Sequence, residues 1–383
     1  MKALSKLNVR QYSMIIALVL IVVFFQILTG GTLLKPLNIT NIILQNSYIL
    51  VLAVGMVLVI ITGHIDLSVG SIAAFIGAIS AILMVNMNMN PVLVVIISLL
   101  LGALIGAWQG FWVAYVGIPA FIVTLAGMLL FRGLTLVVLK GQSIAPFPES
   151  FQKISTGFIP NPFGGEFHTT SMIIGLLVSF IIIVLEWSSY HSQVKYQFDV
   201  LPKKLFYSKI IILFLIINVF TYVLATYRGI PNILVILLVI IAAYTFLMKK
   251  TIIGRHIYAV GGNLKAAELS GVKTKQITFG VFVNMGVLAA LSGLIFAARL
   301  NAATPKAGNL FELDAIAAVF IGGASAYGGV GTVIGAIVGG LVMGVMNNGM
   351  SILGLGIDWQ QAIKGLVLLI AVAFDILSKK KSG

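Results

Sequence analysis

The residues able to act on a solute are few, and most stand where an apolar environment makes them costly. Asp66 sits in GHIDLSVGS, flanked by apolar residues, with Ser68 and Ser71 close behind it. An unpaired carboxylate in such a setting costs about 2.5 to 3.5 kcal/mol on a membrane-insertion scale, so it needs a partner or water. Two readings follow. Asp66, Ser68 and Ser71 line a translocation path or hold a helix broken between Gly63 and Gly70, or Asp66 caps a helix that begins at Leu67. Glu312 and Asp314 offer a similar choice: to cap the Gly-rich helix behind them, or to stand at the external mouth of a path. Asn284, Asn347, Asn348, Gln360 and Gln361 can hydrogen-bond an array of solute hydroxyls, and can equally bond helix to helix.

Several chemistries have no residues to support them. No G-x-x-x-x-G-K-[ST] is present to cradle ATP phosphates. His64, His168, His191 and His256 are scattered, with no H-E-x-x-H and no G-x-S-x-G nucleophile elbow. Cysteine is absent, which removes disulfides and thiolate metal sites. We therefore expect no catalytic residue, no metal and no cofactor on this chain. The net charge of +14 does not indicate nucleic acid, because the basic residues fall in short segments between apolar runs without interleaved aromatics.

The elements that carry these residues are membrane helices. Of the 383 residues 60% are hydrophobic and 9% charged, a balance that suits a bilayer and no water-exposed globule. Apolar windows predict helices near 13–29, 41–62, 67–86, 91–114, 118–139 and 171–187, then 208–225, 231–248, 277–298, 312–327, 331–349 and 360–378. The Gly-rich sequence around 62–70 and 322–331 can be a turn, a broken helix or a re-entrant pair. The expected fold is thus all-α, a single polytopic bundle of ten to twelve spans. With the N-terminus inside, 16 of the 24 Lys and Arg fall on the cytoplasmic side, Lys2, Lys6 and Lys381 among them, so both termini are expected there. Arg132 and Lys364 lie within spans, near enough to helix ends to snorkel. Residues 140–170 become an external loop able to meet a partner, and 171–225 a helix pair with a basic connector.

The segment 249–276 is the longest polar stretch between well-defined spans on the cytoplasmic side, and something should dock on it. Asn263 is placed to cap a short helix over Leu264–Ser270, with Gly271 as its stop. Ala266 and Ala267 would leave one side of that helix smooth enough for a cleft on another protein. An ordinary solvated connector fits the same pattern.

Ala266-Ala267, three residues and Gly271 resemble the coupling-loop signature of binding-protein-dependent ABC importers, with Lys265 where the usual form has Glu. The wider string GRHIYAVGGNLKAAELSGV, from Arg255 through Gly262 and Asn263 to Gly271, is similar to that of the CUT2 family of ribose- and xylose-type sugar permeases. GHIDLSVGSIAAF at 63–75, GIPAFIVTLAGMLLFRG at 117–133 and FELDAIAAVFIGGASAYGGVGTVIGA at 311–336 extend the likeness, as do NNG at 347–349 and WQQAIKG at 359–365. The extra pair at 171–225 resembles the insertion in xylose and multiple-monosaccharide permeases, which points to xylose or a related monosaccharide. The resemblance implies a bacterial inner-membrane permease, a homodimer within membrane lipid, with ATP and Mg on a separate ABC ATPase subunit and sugar brought by an extracytoplasmic sugar-binding protein. From the residues alone, an ion-coupled secondary transporter, a channel and a membrane scaffold remain alternatives.

Overall fold

The computed structural model describes residues 9–198 and 200–380, and its regular elements are helices. Lys2, Lys6 and Lys381, three of the expected topology signals, lie outside the described residues. In chain order, α1 (Val9–Leu28) and α2 (Pro36–Ile61) precede α3 (Val69–Ala81) and α4 (Pro91–Phe111), which run on into π-helical turns at Ile82–Asn86 and Trp112–Val116. Next come α5 (Ala120–Leu139), the short α6 (Glu149–Thr156), α7 (Thr169–Lys195), α8 (Lys203–Ala225) and α9 (Asn232–Lys250). Two more short helices, α10 (Ile252–Gly262) and α11 (Leu264–Leu269), lead to α12 (Thr274–Leu300), α13 (Phe311–Ile321), α14 (Val333–Ile352) and α15 (Ile357–Lys380).

All twelve expected apolar segments contain a helix. Among the described residues nine helices are long and apolar enough to cross a membrane, and α1 contributes a shorter apolar stretch, Met14–Leu28. The expected helix 312–327 is cut short at Ile321, because Gly322 and Gly323 turn the chain and the backbone stays irregular until Thr332. The 62–70 region is likewise a break: α2 stops at Ile61, and α3 begins only at Val69.

The bundle has a buried centre and an apolar periphery that is exposed on this subunit. In α2 and α12 the most apolar windows are 83% and 72% buried, against 17% in each of α7, α8 and α9. α4 and α12 approach at backbone distance: a Cβ on Gly286 would meet the Gly102 carbonyl and the Gly106 Cα. Small residues permit such contact, and in a bilayer close packing replaces the hydrophobic effect as the force between helices. α3 packs beside the second half of α12, with Gly293 against Ala73 and Gly77 against Ala297. Its first turn therefore lies well inside the length of α12 rather than at the Thr274 end.

The peripheral pair α7–α8 returns to where it left. The His168 amide donates to the Ala225 carbonyl and the Ile230 amide to Ser171 Oγ, both at 3.0 Å. The start of α7, the end of α8 and the start of α9 thus meet at one end of the bundle. The α7–α8 connector and the α10–α11 segment consequently both lie at the other end.

Candidate functional site

The polar segment between α9 and α12 folds as two capped helices. Thr251 Oγ1 accepts from the Gly254 amide at 3.2 Å to start α10, and Asn263 Oδ1 accepts from the Ala266 amide at 3.0 Å to start α11. Each bond satisfies one of the N–H groups that a helix start leaves free. α11 stops where expected: Gly271 has φ of +83°, a left-handed conformation that costs glycine little. A hydrogen bond of 2.8 Å from Thr274 Oγ1 to Glu268 then ties α11 to the first turn of α12.

The smooth alanine face is corrected by the structure. Ala267 is turned into the protein, so what the short helix presents is Ala266 flanked by Leu264 and Leu269. Leu269 is 91% exposed, the barest large apolar residue of the loop. Arg255, Gly262 and Asn263 are exposed on the same segment. Tyr258 on α10 is half-buried, and burial raises its hydroxyl pKa above the usual tyrosine range, which keeps it a donor. It donates to the Gly331 carbonyl at 2.8 Å.

The break between α2 and α3 is built around Asp66. Its carboxylate accepts from the Ser68 amide at 2.8 Å and from Ser68 Oγ at 2.6 Å, and Gln109 Nε2 of α4 donates to Ser68 Oγ at 2.8 Å. Asp66 therefore organises the residue before the helix rather than capping α3 itself, whose N-cap is Ser68. Asp66, Ser68 and Ser71 are all buried, and Ser71 Oγ has no hydrogen-bond partner.

Glu312 reaches this cluster from α13: a Cβ on Gly70 would collide with its Oε2, and that oxygen has no hydrogen-bond partner. Glu312 and Asp314 occupy the first turn of α13, where a helix N-terminus favours negative charge, but neither makes a side-chain cap. Asp314 instead binds Lys364 of α15 at 2.8 Å, and Arg132 of α5 donates to the Ala307 and Gly308 carbonyls at 3.2 Å. These contacts replace the snorkelling expected of Lys364 and Arg132. Both cations are half-buried; Lys364 has a counter-charge, and Arg132 is held by neutral carbonyls.

The remaining candidates do not join this cluster. Asn348 exchanges hydrogen bonds of 2.8 and 3.0 Å with Asn38 of α2, Gln360 donates to the Leu355 carbonyl at 2.9 Å, and Gln361 is exposed. Asn347 Oδ1 is buried without a partner. Asn284 on α12 accepts from Tyr244 of α9. Asn284 and Asn348 thus each bond one helix to another. Gln109, Arg132 and Tyr258 complete the site without having been singled out as ligands. For Gln109 the available signal was an amide alone in an apolar run.

Among the described residues no three His, Cys, Asp or Glu side chains group as a metal site. A family model described as "Branched-chain amino acid transport system / permease component" matches residues 38–372. The chain belongs to this permease family. It is 40% identical over 382 residues to the xylose transport system permease protein of Haemophilus influenzae, covering 99% of each chain. The xylose transport system permease protein of Escherichia coli is 38% identical over 379 residues, covering 99% of this chain and 95% of that one. The ribose import permease protein of Escherichia coli is 35% identical over 340 residues, 88% of this chain and 85% of its own length. No solved structure matches. The permease is therefore a multi-pass membrane component of a transport system and not an enzyme.

Proposed function

We propose that this permease is the membrane subunit of an ATP-driven, binding-protein-dependent importer of xylose or a closely related monosaccharide. The observation that carries the reading is similarity along the whole chain, the α7–α8 pair included, to proteins named as xylose permeases. Two copies form the pathway in the bacterial cytoplasmic membrane, with both termini in the cytoplasm. An ABC ATPase subunit, which binds ATP and Mg, docks on the exposed face of α11 around Ala266 and Leu269. An extracytoplasmic sugar-binding protein delivers substrate to the opposite face, which includes residues 140–168. Asp66, Ser68, Ser71 and Glu312 are the residues we assign to the path or its gate. They are packed shut within this subunit, so hydroxyl binding there requires α3 and α13 to part.

A second reading, an ion-coupled sugar carrier, gains from the buried acids Asp66, Glu312 and Asp314 and from Lys364, since intramembrane ionisable groups often move ions. Uptake of labelled xylose, ribose, galactose and glucose into proteoliposomes decides between the two. The vesicles carry the permease with its ATPase and binding protein, with and without internal ATP. The importer reading expects ATP-dependent uptake that Gly271→Asp abolishes while the complex still inserts. Uptake that follows a proton gradient and ignores both ATP and the loop substitution would instead establish the carrier.

A further inference from the structure

Two irregular segments, 62–68 and 322–332, interrupt the membrane helices, and the C-terminus of α10 touches Ile61, just before the first, and Gly329 within the second. A Cβ on Gly261 would meet the Ile61 carbonyl and the Gly329 amide, and one on Gly328 would meet the Gly261 carbonyl and Gly63 Cα. The Gly329 amide donates to the Ile61 carbonyl at 2.8 Å, closing the triangle. Ile61 is the last residue of α2 and Gly329 lies between α13 and α14, so three chain segments meet backbone to backbone. Tyr258, one turn before Gly261, adds a side-chain bond to the Gly331 carbonyl.

We infer that this joint couples the cytoplasmic loop to the membrane interior: Gly261 and Tyr258 are positioning residues through which a displacement of α10–α11 moves both broken helices together. The inference rests on the importer reading and adds to it the element that carries the motion. Packed backbone has few ways to absorb a shift, because a close contact without side chains leaves no rotamer to adjust. From Ile61 the chain runs directly to Asp66, whose carboxylate fixes the Ser68 that begins α3. From Gly329 it runs back to α13, whose first turn places Glu312 against Gly70. One joint therefore reaches both walls of the buried acidic cluster. Loosening such a joint is expected to lower the sugar moved per ATP while ATP hydrolysis continues.

The test compares Gly261→Ala, Tyr258→Phe and a control, Gly280→Ala, each in the full complex, reading sugar uptake and ATP hydrolysis in the same proteoliposomes. Gly280 is exposed on α12, and a Cβ there would have open space. Sugar moved per ATP is expected to fall on the order of tenfold in Gly261→Ala and less in Tyr258→Phe, with hydrolysis continuing, while Gly280→Ala matches wild type. If Gly261→Ala fails to assemble, Tyr258→Phe alone carries the test, since it removes one hydroxyl and keeps the ring. An unchanged ratio in Tyr258→Phe, or equal loss of uptake and hydrolysis in either variant, would overturn the joint while leaving the importer intact. A wild type without ATP-dependent uptake would remove the importer reading and this inference with it.

Discussion

The α2–α12 centre and the α7–α8 pair are built from nearly equally apolar sequence, yet they use it in opposite ways. Mean hydropathy is 2.2 for the best windows of α2, α7 and α8 alike, but burial separates them, 83% against 17%. The centre places glycines where helices meet and turns its polar groups inward to one another. The peripheral pair leaves its apolar side chains exposed on this subunit and keeps its charges in the halves nearest the connector. Hydropathy thus shows that a segment enters the membrane, while the placement of small and polar residues shows whether it faces protein there.

The ion pairs test this contrast most severely. Lys364–Asp314 and Lys209–Glu186 have nearly equal lengths, 2.8 and 2.7 Å, but the first pair is 19% and 12% exposed and the second 43% and 35%. Lys364→Met leaves Asp314 buried without a counter-charge, a loss expected to cost about 3–5 kcal/mol. The measurement is thermal stability and monodispersity of the purified complex in detergent. Adding Asp314→Asn should recover most of the loss, and a wild-type midpoint for the single variant would mean that the pair is not buried in the assembled protein.

Packing gives the next largest difference. Gly286→Ala drives a methyl into the backbone of α4, and overpacking of this kind costs about 1–3 kcal/mol. Gly175→Ala on α7 meets Thr221 of α8, but those two helices are exposed on this subunit and can part slightly, so a smaller loss of thermal midpoint is expected. Equal losses would show that α7 and α8 are clamped by something outside this subunit. Smaller still is Lys209→Met, which removes an exposed pair and should change stability by no more than about 1 kcal/mol.

The same contrast explains what was legible in the sequence. The spans were, because a helix in a bilayer must satisfy its own backbone and so needs a long apolar run. The cap at Asn263 and the stop at Gly271 were also legible, since each depends on one residue and its neighbours. The partners of Lys364 and Arg132 were not: Asp314 is 50 residues from Lys364, and Ala307 is 175 from Arg132. Nothing local in either span announces which helix will lie across from it. The breaks at 62–68 and 322–332 were visible as glycine-rich stretches, but their meeting at Gly261 depends on how the bundle closes. The short α10 was missed because its apolar face is too brief for a membrane window, although Ile257 and Val260 are buried.

The mildest expected effect comes from the largest alteration, excision of Thr169–Ala225 with His168 joined to Thr226. The two ends are already in register, with the His168 amide 3.0 Å from the Ala225 carbonyl. Removing an even number of passes leaves every later helix pointing the same way, and the basic residues between α9 and α12, which the importer reading places in the cytoplasm, still hold that orientation. The natural absence of cysteine makes sidedness simple to read. A single cysteine in place of exposed Lys250, at the end of α9, should react with an impermeant maleimide from the cytoplasmic side only, in the full and the shortened chain alike, and ATP-dependent uptake should continue in both. Labelling from the opposite side in the shortened chain would show that the pair sets topology. Correct labelling with uptake lost would place α7–α8 in the transport pathway or in a partner interface, and the division between a working centre and an exposed periphery would have to be redrawn.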